Sequence, residues 1–564
     1  MKRSTLLSVG IGLLLAGPFC FHVITETDIG WHLAIGRLIA HSGIPRENAL
    51  AWTAPHEPWY ATSWLYDWLA FQLTNRFGVA GLQTLTFLLV GLVVIGVALA
   101  LQRSDDERGF WWTPAVALAL IPRITERPHI VSWVVLAFAL WLCIPGQGEP
   151  ADFEERARRG LGWQRRLACV PLLAVGSNLH AGAVFPALVL ALFCAEAWIV
   201  SGRWARELGI AAAGGLALLA NPGGFFNVQY VLQHIHVQDV IPIVEMMTPT
   251  PLSAPVVYAS IPVLLVAGWR LRRRSPALVA AALLYMVLTL RAVRFGVELE
   301  IVTAILAAQA LATLGEPGLR PYRIILPVAA AALVLLDVLP KYRAQEWGHS
   351  FEASALPVRA ARFVQSEQIT GPMFNAFRDG GYLEWILPEL QWFQDGRIQA
   401  YPEAFFKKEL EVDPIPGRFR QWLGDLGVEW AITSRWPEWM TGRLRLDSPE
   451  WALVYWDEAT EIRVRRDVPR FAPLVLAKEY KHFLPDGKVT VASADAVELV
   501  GWEKDLRQFE ETSPDFPLAA VLHCVVLKRL GRNAADTCAH AGKIADTKEL
   551  KGILARVDQL PLAR

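Results

Sequence analysis

The chain of 564 residues has no surplus of charge: 54 lysines and arginines balance 54 aspartates and glutamates, for a formal net charge of +0. No global basic field invites nucleic acid. Cysteine is scarce, with six residues and no metal-ligand spacing among them. There is no Walker loop, no dinucleotide fingerprint, no His-Glu-x-x-His and no serine-centred nucleophile elbow. Lacking a nucleotide cradle, the chain reads neither as an ATP-driven pump nor as an enzyme of cytosolic nucleotide sugars. Apolar sequence is abundant instead, 53% hydrophobic against 19% charged, and it comes in blocks long enough to span a bilayer. The 23 tryptophans suit anchoring in the headgroup zone, where an amphipathic ring is at home.

Hydropathy marks about eleven spans, near 5–23, 80–101, 110–122, 130–145, 167–177, 183–200, 208–220, 254–269, 277–290, 298–314 and 324–340. Several are short and are expected to be tilted, broken or re-entrant. Met1-Lys2-Arg3 before the first run resembles a signal peptide, but no small-x-small cleavage site follows, so it is expected to stay as an uncleaved helix. Arginine-rich stretches at 146–166 and 270–275, with weaker ones at the N-terminus, 102–109, 201–207 and 315–323, are expected on the cytoplasmic side. The alternate loops, and everything after about 341, then lie outside. These outer loops carry Glu26, Asp28, Trp31, His32, Arg123, Glu126, Arg127, His129, Asn178, His180, Asn221, Glu245, Arg291 and Arg294. A transporter usually buries its ionisable groups near mid-membrane; here they rim one face.

The first outer loop, 24–79, holds two amphipathic stretches, 30–41 and Trp59 to Leu73, expected to lie in the interface plane. After 341 the composition turns soluble. Helices are expected at 356–366 and 417–426, and short strands at Gly371–Phe377, Trp392–Asp395 and Val428–Thr433, with turns at Asp379-Gly380-Gly381 and Asp395-Gly396. Ala452–Trp456 and Glu461–Arg465 read as a hairpin. From about 470 the chain is mainly helical, and 515–556 resembles one or two tetratricopeptide-like hairpins, a surface for a protein partner. Cys20, Cys143, Cys169 and Cys194 lie in or beside apolar runs as packing thiols. Cys524 and Cys538 in the tail are free to pair in an oxidising compartment, though spacing does not fix this.

Thr25-Glu26-Thr27-Asp28 sets two carboxylates directly after the first span. A carboxylate at a partly dry interface suits general-base work, while Asp28 or Thr27 equally suits a helix cap. His180, in Ser177-Asn178-Leu179-His180-Ala181-Gly182, fits either a phosphate or sugar contact or a helix break satisfied by Asn178. Asn221-Pro222-Gly223-Gly224 reads better as a helix stop than as a ligand site. Arg123, Arg127, Arg291 and Arg294 follow apolar runs at the outer edge, where excess arginine is unusual. Arginine forks there suit the phosphate of a polyprenyl carrier; pairing with Glu126, Glu298 or Glu300, or lipid headgroup binding without chemistry, stays open.

Asp28-Ile29-Gly30-Trp31-His32-Leu33-Ala34-Ile35-Gly36-Arg37, Gly43-Ile44-Pro45, Pro58-Trp59 and Trp64-Leu65 together resemble bacterial polytopic proteins related to the GT-C glycosyltransferase superfamily. The resemblance runs on through Arg127-Pro128-His129, Asn178 to Gly182, Asn221 to Gly224, Glu245 and Arg291–Arg294–Phe295. It closes with Phe374-Asn375, Gly380-Gly381-Tyr382-Leu383 and Asp395-Gly396-Arg397, so it covers roughly 25–435. It implies a mainly α, polytopic helical membrane bundle of GT-C type. An acidic residue stands in the first outer loop, and an external α/β domain follows. Oligosaccharyltransferase subunits, protein O-mannosyltransferases and the lipid A aminoarabinose transferase share that plan, with sugars on polyprenyl carriers as donors.

Carried over, Asp28 is the catalytic carboxylate. Glu26, Trp31, His32, Arg123, Arg127, His129, Asn178, His180, Glu245, Arg291 and Arg294 are then candidates for donor or acceptor binding. Two departures stand out. The Trp-Trp-Asp signature of oligosaccharyltransferases is absent, since Tyr455-Trp456-Asp457 falls in the expected hairpin. Arg46-Glu47-Asn48-Ala49 stands where relatives often read Asp-Pro-Phe-Ser. The expectation is therefore an inverting, lipid-donor glycosyltransferase of a bacterial inner membrane. It has a bundle at 1–341, an external domain at 342–469 and a helical tail at 470–564. A glycan, lipid or protein acceptor and room for a divalent cation complete the reading, with no metal assigned. A lipid-linked-glycan transporter and a non-catalytic membrane scaffold are the rival readings.

Overall fold

A computed structural model describes residues 2–104, 110–145, 153–159, 161–237, 244–313, 322–343, 346–434, 446–485, 491 and 494–563. The expected inner loops at 102–109, 146–166 and 315–323 fall partly or mostly outside the described residues. The chain divides into two units.

The first unit comprises Met1–Asn48, His56–Ser350 and Gln399–Glu403. A helix stands over each of the apolar runs read from the sequence, from Arg3–Ala16 to Tyr322–Arg343. Among the described residues four are long and apolar enough to cross a membrane: Arg3–Cys20, Val79–Arg103, Ala181–Ser201 and Val293–Ala312. Others, such as Trp112–Leu120 with 9 residues, are too short to cross alone. The unit is a multi-pass membrane bundle. Its buried interior is built from small and branched residues, with Val90, Val97, Leu136, Leu140, Ile301 and Ile305 all inaccessible, as close helix packing requires.

Two helices of the segment 24–79, Ile29–Ser42 and Trp64–Phe77, pack on each other. Gly36 makes the crossing close: a Cβ there would lie 2.1 Å from the Asp67 carbonyl oxygen. The second helix starts later than the sequence suggests. Residues 59–63 are not helical, and Trp64 opens the helix.

The second unit comprises Ala49–Pro55, Phe351–Ile398 and Ala404–Arg564. Its sheet has four strands: β1 Met373–Asn375, β2 Trp430–Ser434, β3 Trp451–Trp456 and β4 Thr460–Arg465, in the order β1-β2-β4-β3. β1 pairs parallel with β2, whereas β2 and β3 both pair antiparallel with β4. The expected hairpin is therefore β3–β4. Asp457 closes its turn by accepting from the Ala459 and Thr460 amides at 2.8 Å each.

Two expectations fail here. Trp392–Asp395 forms only an isolated bridge with Ala51, because the segment is fastened by a side chain. The Asn375 Oδ1 accepts from the Phe393 amide at 2.8 Å, and its Nδ2 donates to the Gln394 carbonyl at 2.7 Å. Asp379-Gly380-Gly381 is not a turn but lies inside helix Phe377–Ile386. Gly380 serves close approach, since a Cβ would sit 2.0 Å from the Gln394 carbonyl oxygen. Residues 49–55 join this unit although the chain on either side of them belongs to the first. Trp52 donates its amide to the Trp392 carbonyl at 3.0 Å and its indole N–H to the Met373 carbonyl at 3.1 Å.

Helices Ala496–Glu510, Pro517–Arg529, Ala535–Ile544 and Lys548–Leu554 pack in succession as the tail. Trp456 at the end of β3 packs against Phe483 and Phe509, joining sheet and tail in one core. Cys524 and Cys538, left open by the sequence, form a disulfide with Cα atoms 4.9 Å apart. Cys20, Cys143, Cys169 and Cys194 are buried free thiols.

Candidate active site

The segment Glu26–Asp28 leads from the first helix into Ile29–Ser42. Asp28 occupies the N-cap position, but its side chain makes no cap hydrogen bond. It reaches Arg127 instead, with Oδ2 2.7 Å from Nη2. Glu26 accepts from the Asp28 amide at 3.1 Å and lies 3.7 Å from the same guanidinium. Glu245, in the short turn Val244–Met246, completes the ring: its Oε1 is 3.1 Å from Arg127 and its Oε2 3.3 Å from Arg123. Arg294 donates to the Met246 sulfur at 3.4 Å, and its charge acts on Glu245. Three carboxylates and three arginines thus meet from four distant chain segments.

Electrostatics follow from that geometry. Burial works against the Arg127 cation, but Asp28, Glu26 and Glu245 together hold it firmly charged, above the ordinary arginine range. Burial likewise opposes the Glu245 anion, yet Arg127, Arg123 and Arg294 hold its carboxyl well below the usual range. Glu126 is the contrast: fully buried, its carboxyl has no hydrogen-bond partner among the described residues, and burial pushes it up to about 8. The nearest base is His22, whose Nε2 is 3.9 Å away while its Nδ1 donates to the Phe19 carbonyl.

The remaining sequence candidates separate into those near the cluster and those with other work. His32 is 2% exposed; its Nδ1 meets Asp67 Oδ1 at 2.6 Å, and Trp31 stacks on its ring. His129 donates from Nε2 to the Arg123 carbonyl at 3.1 Å and so holds the loop that presents Arg123. His180 shares a hydrogen bond with Ser132 at 2.7 Å. Asn178 is committed structurally: it donates to the Ala174 and Ala220 carbonyls at 2.8 and 2.7 Å and accepts from the Trp64 indole at 2.8 Å. Asn221 ends its helix, accepting from the Gly223 amide at 2.9 Å. Arg291 stands exposed, with no ion pair among the described residues, and is not brought to the cluster. Arg127 and Arg123 pair with Glu26, Asp28 and Glu245, and Glu126 makes no ion pair with an arginine among the described residues.

Sequence reading missed Asp67, Tyr230 and the isolation of Glu126. Tyr230, on helix Phe226–Val237, lies in the combined field of Arg294, Arg127 and Asp28. A lone aspartate among the tryptophans and leucines of 59–73 was the one available signal for Asp67. No local pattern pointed to Tyr230. Among the described residues no group of three His, Cys, Asp or Glu side chains is arranged to hold a metal ion. Asp28 and Glu245, the obvious oxygen donors, are spent on arginine.

No protein-family model matches the chain, and no curated protein does. Solved structures do. The archaeal oligosaccharyltransferase AglB from Archaeoglobus fulgidus, in complex with an inhibitory peptide and a dolichol-phosphate, matches with a TM-score of 0.54 at 11% identity, over 93% of this chain and 85% of that one. The crystal structure of the apo A. fulgidus oligosaccharyltransferase gives 0.52 at 12% identity, over 82% and 74%. ArnT from Cupriavidus metallidurans gives 0.47 at 16% identity, over 83% and 98%, a score too low to carry an argument. The chain has a GT-C-like fold.

Proposed function

We propose that the chain is a membrane glycosyltransferase that moves a sugar from a polyprenyl-phosphate carrier to an acceptor at the outer face of the membrane. The observation that carries this reading is the cluster of Asp28 and Glu245 with Arg123, Arg127 and Arg294, set in an apolar bundle of GT-C-like fold. Asp28 takes the proton of an acceptor hydroxyl, whose oxygen attacks the anomeric carbon as the carbon–phosphate-oxygen bond breaks, with inversion. The leaving lipid phosphate gains charge, and the arginines stabilise it. Anion stabilisation in a site shielded from water is usually the largest catalytic contribution. Arg294 is the arginine best placed for this, because Arg127 and Arg123 already hold carboxylates. His129 and the His32–Asp67 pair position the loops. No step passes through a metal, since the donors such an ion would need are paired with arginine.

A carrier of this class fits the dolichol-phosphate bound by the A. fulgidus enzyme, and the Cys524–Cys538 disulfide fits an extracytoplasmic second unit. The scaffold reading draws on one observation: the Arg127 ring of carboxylates is already satisfied without a ligand. Cells lacking the chain separate the two. A transferase predicts that polyprenyl-linked sugar accumulates on deletion, measured by mass spectrometry of extracted lipids, and falls back when the wild-type chain is restored. Unchanged carrier and envelope glycan pools would favour the scaffold.

A further inference from the structure

The second unit contains a cavity that the transferase reading does not use. It has a volume of about 380 Å³ and is walled by helix Ala472–Lys478, residues 479–483 and helix Ala496–Glu510. That volume suits a small organic molecule, since ligand pockets run to roughly 300–1,000 Å³. One wall is apolar: Val475 and Leu476 line it, and Leu476 is 85% exposed. An aliphatic side chain left that open beside a cavity has unspent capacity to bury apolar surface.

The rest of the lining is polar, with three cationic side chains against two acids, and those acids are already spent. Glu479 is ion-paired with Arg466 and lies 3.6 Å from Lys481. Asp505 is buried, and its Oδ2 accepts from the amides of Lys481, His482 and Phe483 at 2.8, 2.6 and 3.1 Å. Neither carboxylate needs a cation from the cavity. Lys504 and the ring of His482 line the same space, and neither has a side-chain hydrogen bond or ion pair among the described residues. Gly501 makes room for that ring: a Cβ there would meet His482 Nε2 at 2.2 Å. The helix gives up a side chain at the point where an imidazole lies against it.

We propose that this cavity binds a small organic anion, a carboxylate or phosphate carried on a short apolar body. The head group lies against Lys504 and His482, and the body lies on Val475 and Leu476. Two uncommitted donors beside an anion give charge-assisted hydrogen bonds, and the apolar wall removes the body from water. The site is independent of the transferase chemistry, so its failure leaves that reading untouched, and the reverse holds too.

The test uses the full chain in nanodiscs of zwitterionic lipid, with equilibrium dialysis of hexanoate, hexyl phosphate and uncharged hexanol against empty discs. Saturable binding of one or both anions, with none of hexanol, is expected. The stronger of the two probes identifies the head group. Lys504→Gln and Lys504→Glu should weaken binding by about tenfold or more. Gly501→Ala, which displaces the His482 ring, should weaken it as well, with thermal unfolding confirming that each variant is folded. Anion uptake no greater than in empty discs, equal binding of hexanol, or wild-type affinity in folded Lys504 variants would each overturn the proposal.

Discussion

At the residue scale the arginines divide by partner rather than by position in the sequence. Arg127 holds three carboxylates, so its loss leaves Asp28, Glu26 and Glu245 facing one another. Among the described residues Arg294 donates to the Met246 thioether and makes no ion pair as close as those of Arg127, which leaves it the arginine most open to a phosphate. Arg294→Gln should therefore weaken binding of a polyprenyl-phosphate donor by about 1.5–3 kcal/mol with little change in melting temperature, and Arg127→Gln should lower both. Arg291→Gln, outside the cluster, should do neither. Calorimetric titration alongside thermal unfolding checks the three together, and an Arg294 variant that melts early but binds normally would assign that residue to structure.

Glu126 supplies a pH signature of its own. Its carboxyl is raised from 4.5 to about 8, so the folded chain holds a proton there that the unfolded chain releases above pH 4.5. Its stabilising share is complete below about 4.5 and is lost as the pH rises through about 8. Glu126→Gln stays neutral throughout, so its melting temperature should fall less than the wild type's over that window. Parallel curves for the two would show that Glu126 is ionised in the fold.

At the scale of elements, hydropathy and loop composition made the helices legible. Spanning-length apolar runs have few alternatives to helix, because every backbone group must be satisfied internally. The β3–β4 hairpin was legible for the corresponding reason, alternation broken by a turn. What stayed hidden depends on partners distant in sequence. Asp379-Gly380-Gly381 has turn composition, yet the Gln394 carbonyl claims the space over Gly380 and the segment stays helical. Residues 49–55 read as outer-loop connection and belong to the second unit through Trp52. Asp28 read equally as a cap or a base; Arg127, almost 100 positions on, takes its side chain away from the cap. Arg291 and Arg294 looked equivalent because both end apolar runs, and only the Val244–Met246 turn tells them apart.

For the whole molecule, the one-sided distribution of arginine-rich loops predicts a cytoplasmic N-terminus and an external second unit. The Cys524–Cys538 pair agrees with an oxidising side. A cysteine engineered near Gly396 should react with an impermeant maleimide on intact spheroplasts; reaction only after permeabilisation would reverse the orientation and put the site on the wrong face.

The purified chain, in nanodiscs loaded with polyprenyl-linked sugars from deletion cells, tests whether Asp28 is the base of a lipid-donor sugar transfer. Asp28→Asn preserves size but cannot take the acceptor proton, and a general base contributes roughly 10²–10⁴-fold. Transfer by the wild type and a loss of that order in Asp28→Asn are expected, with donor affinity and melting temperature nearly unchanged. Transfer at the wild-type rate by Asp28→Asn would contradict that role for Asp28.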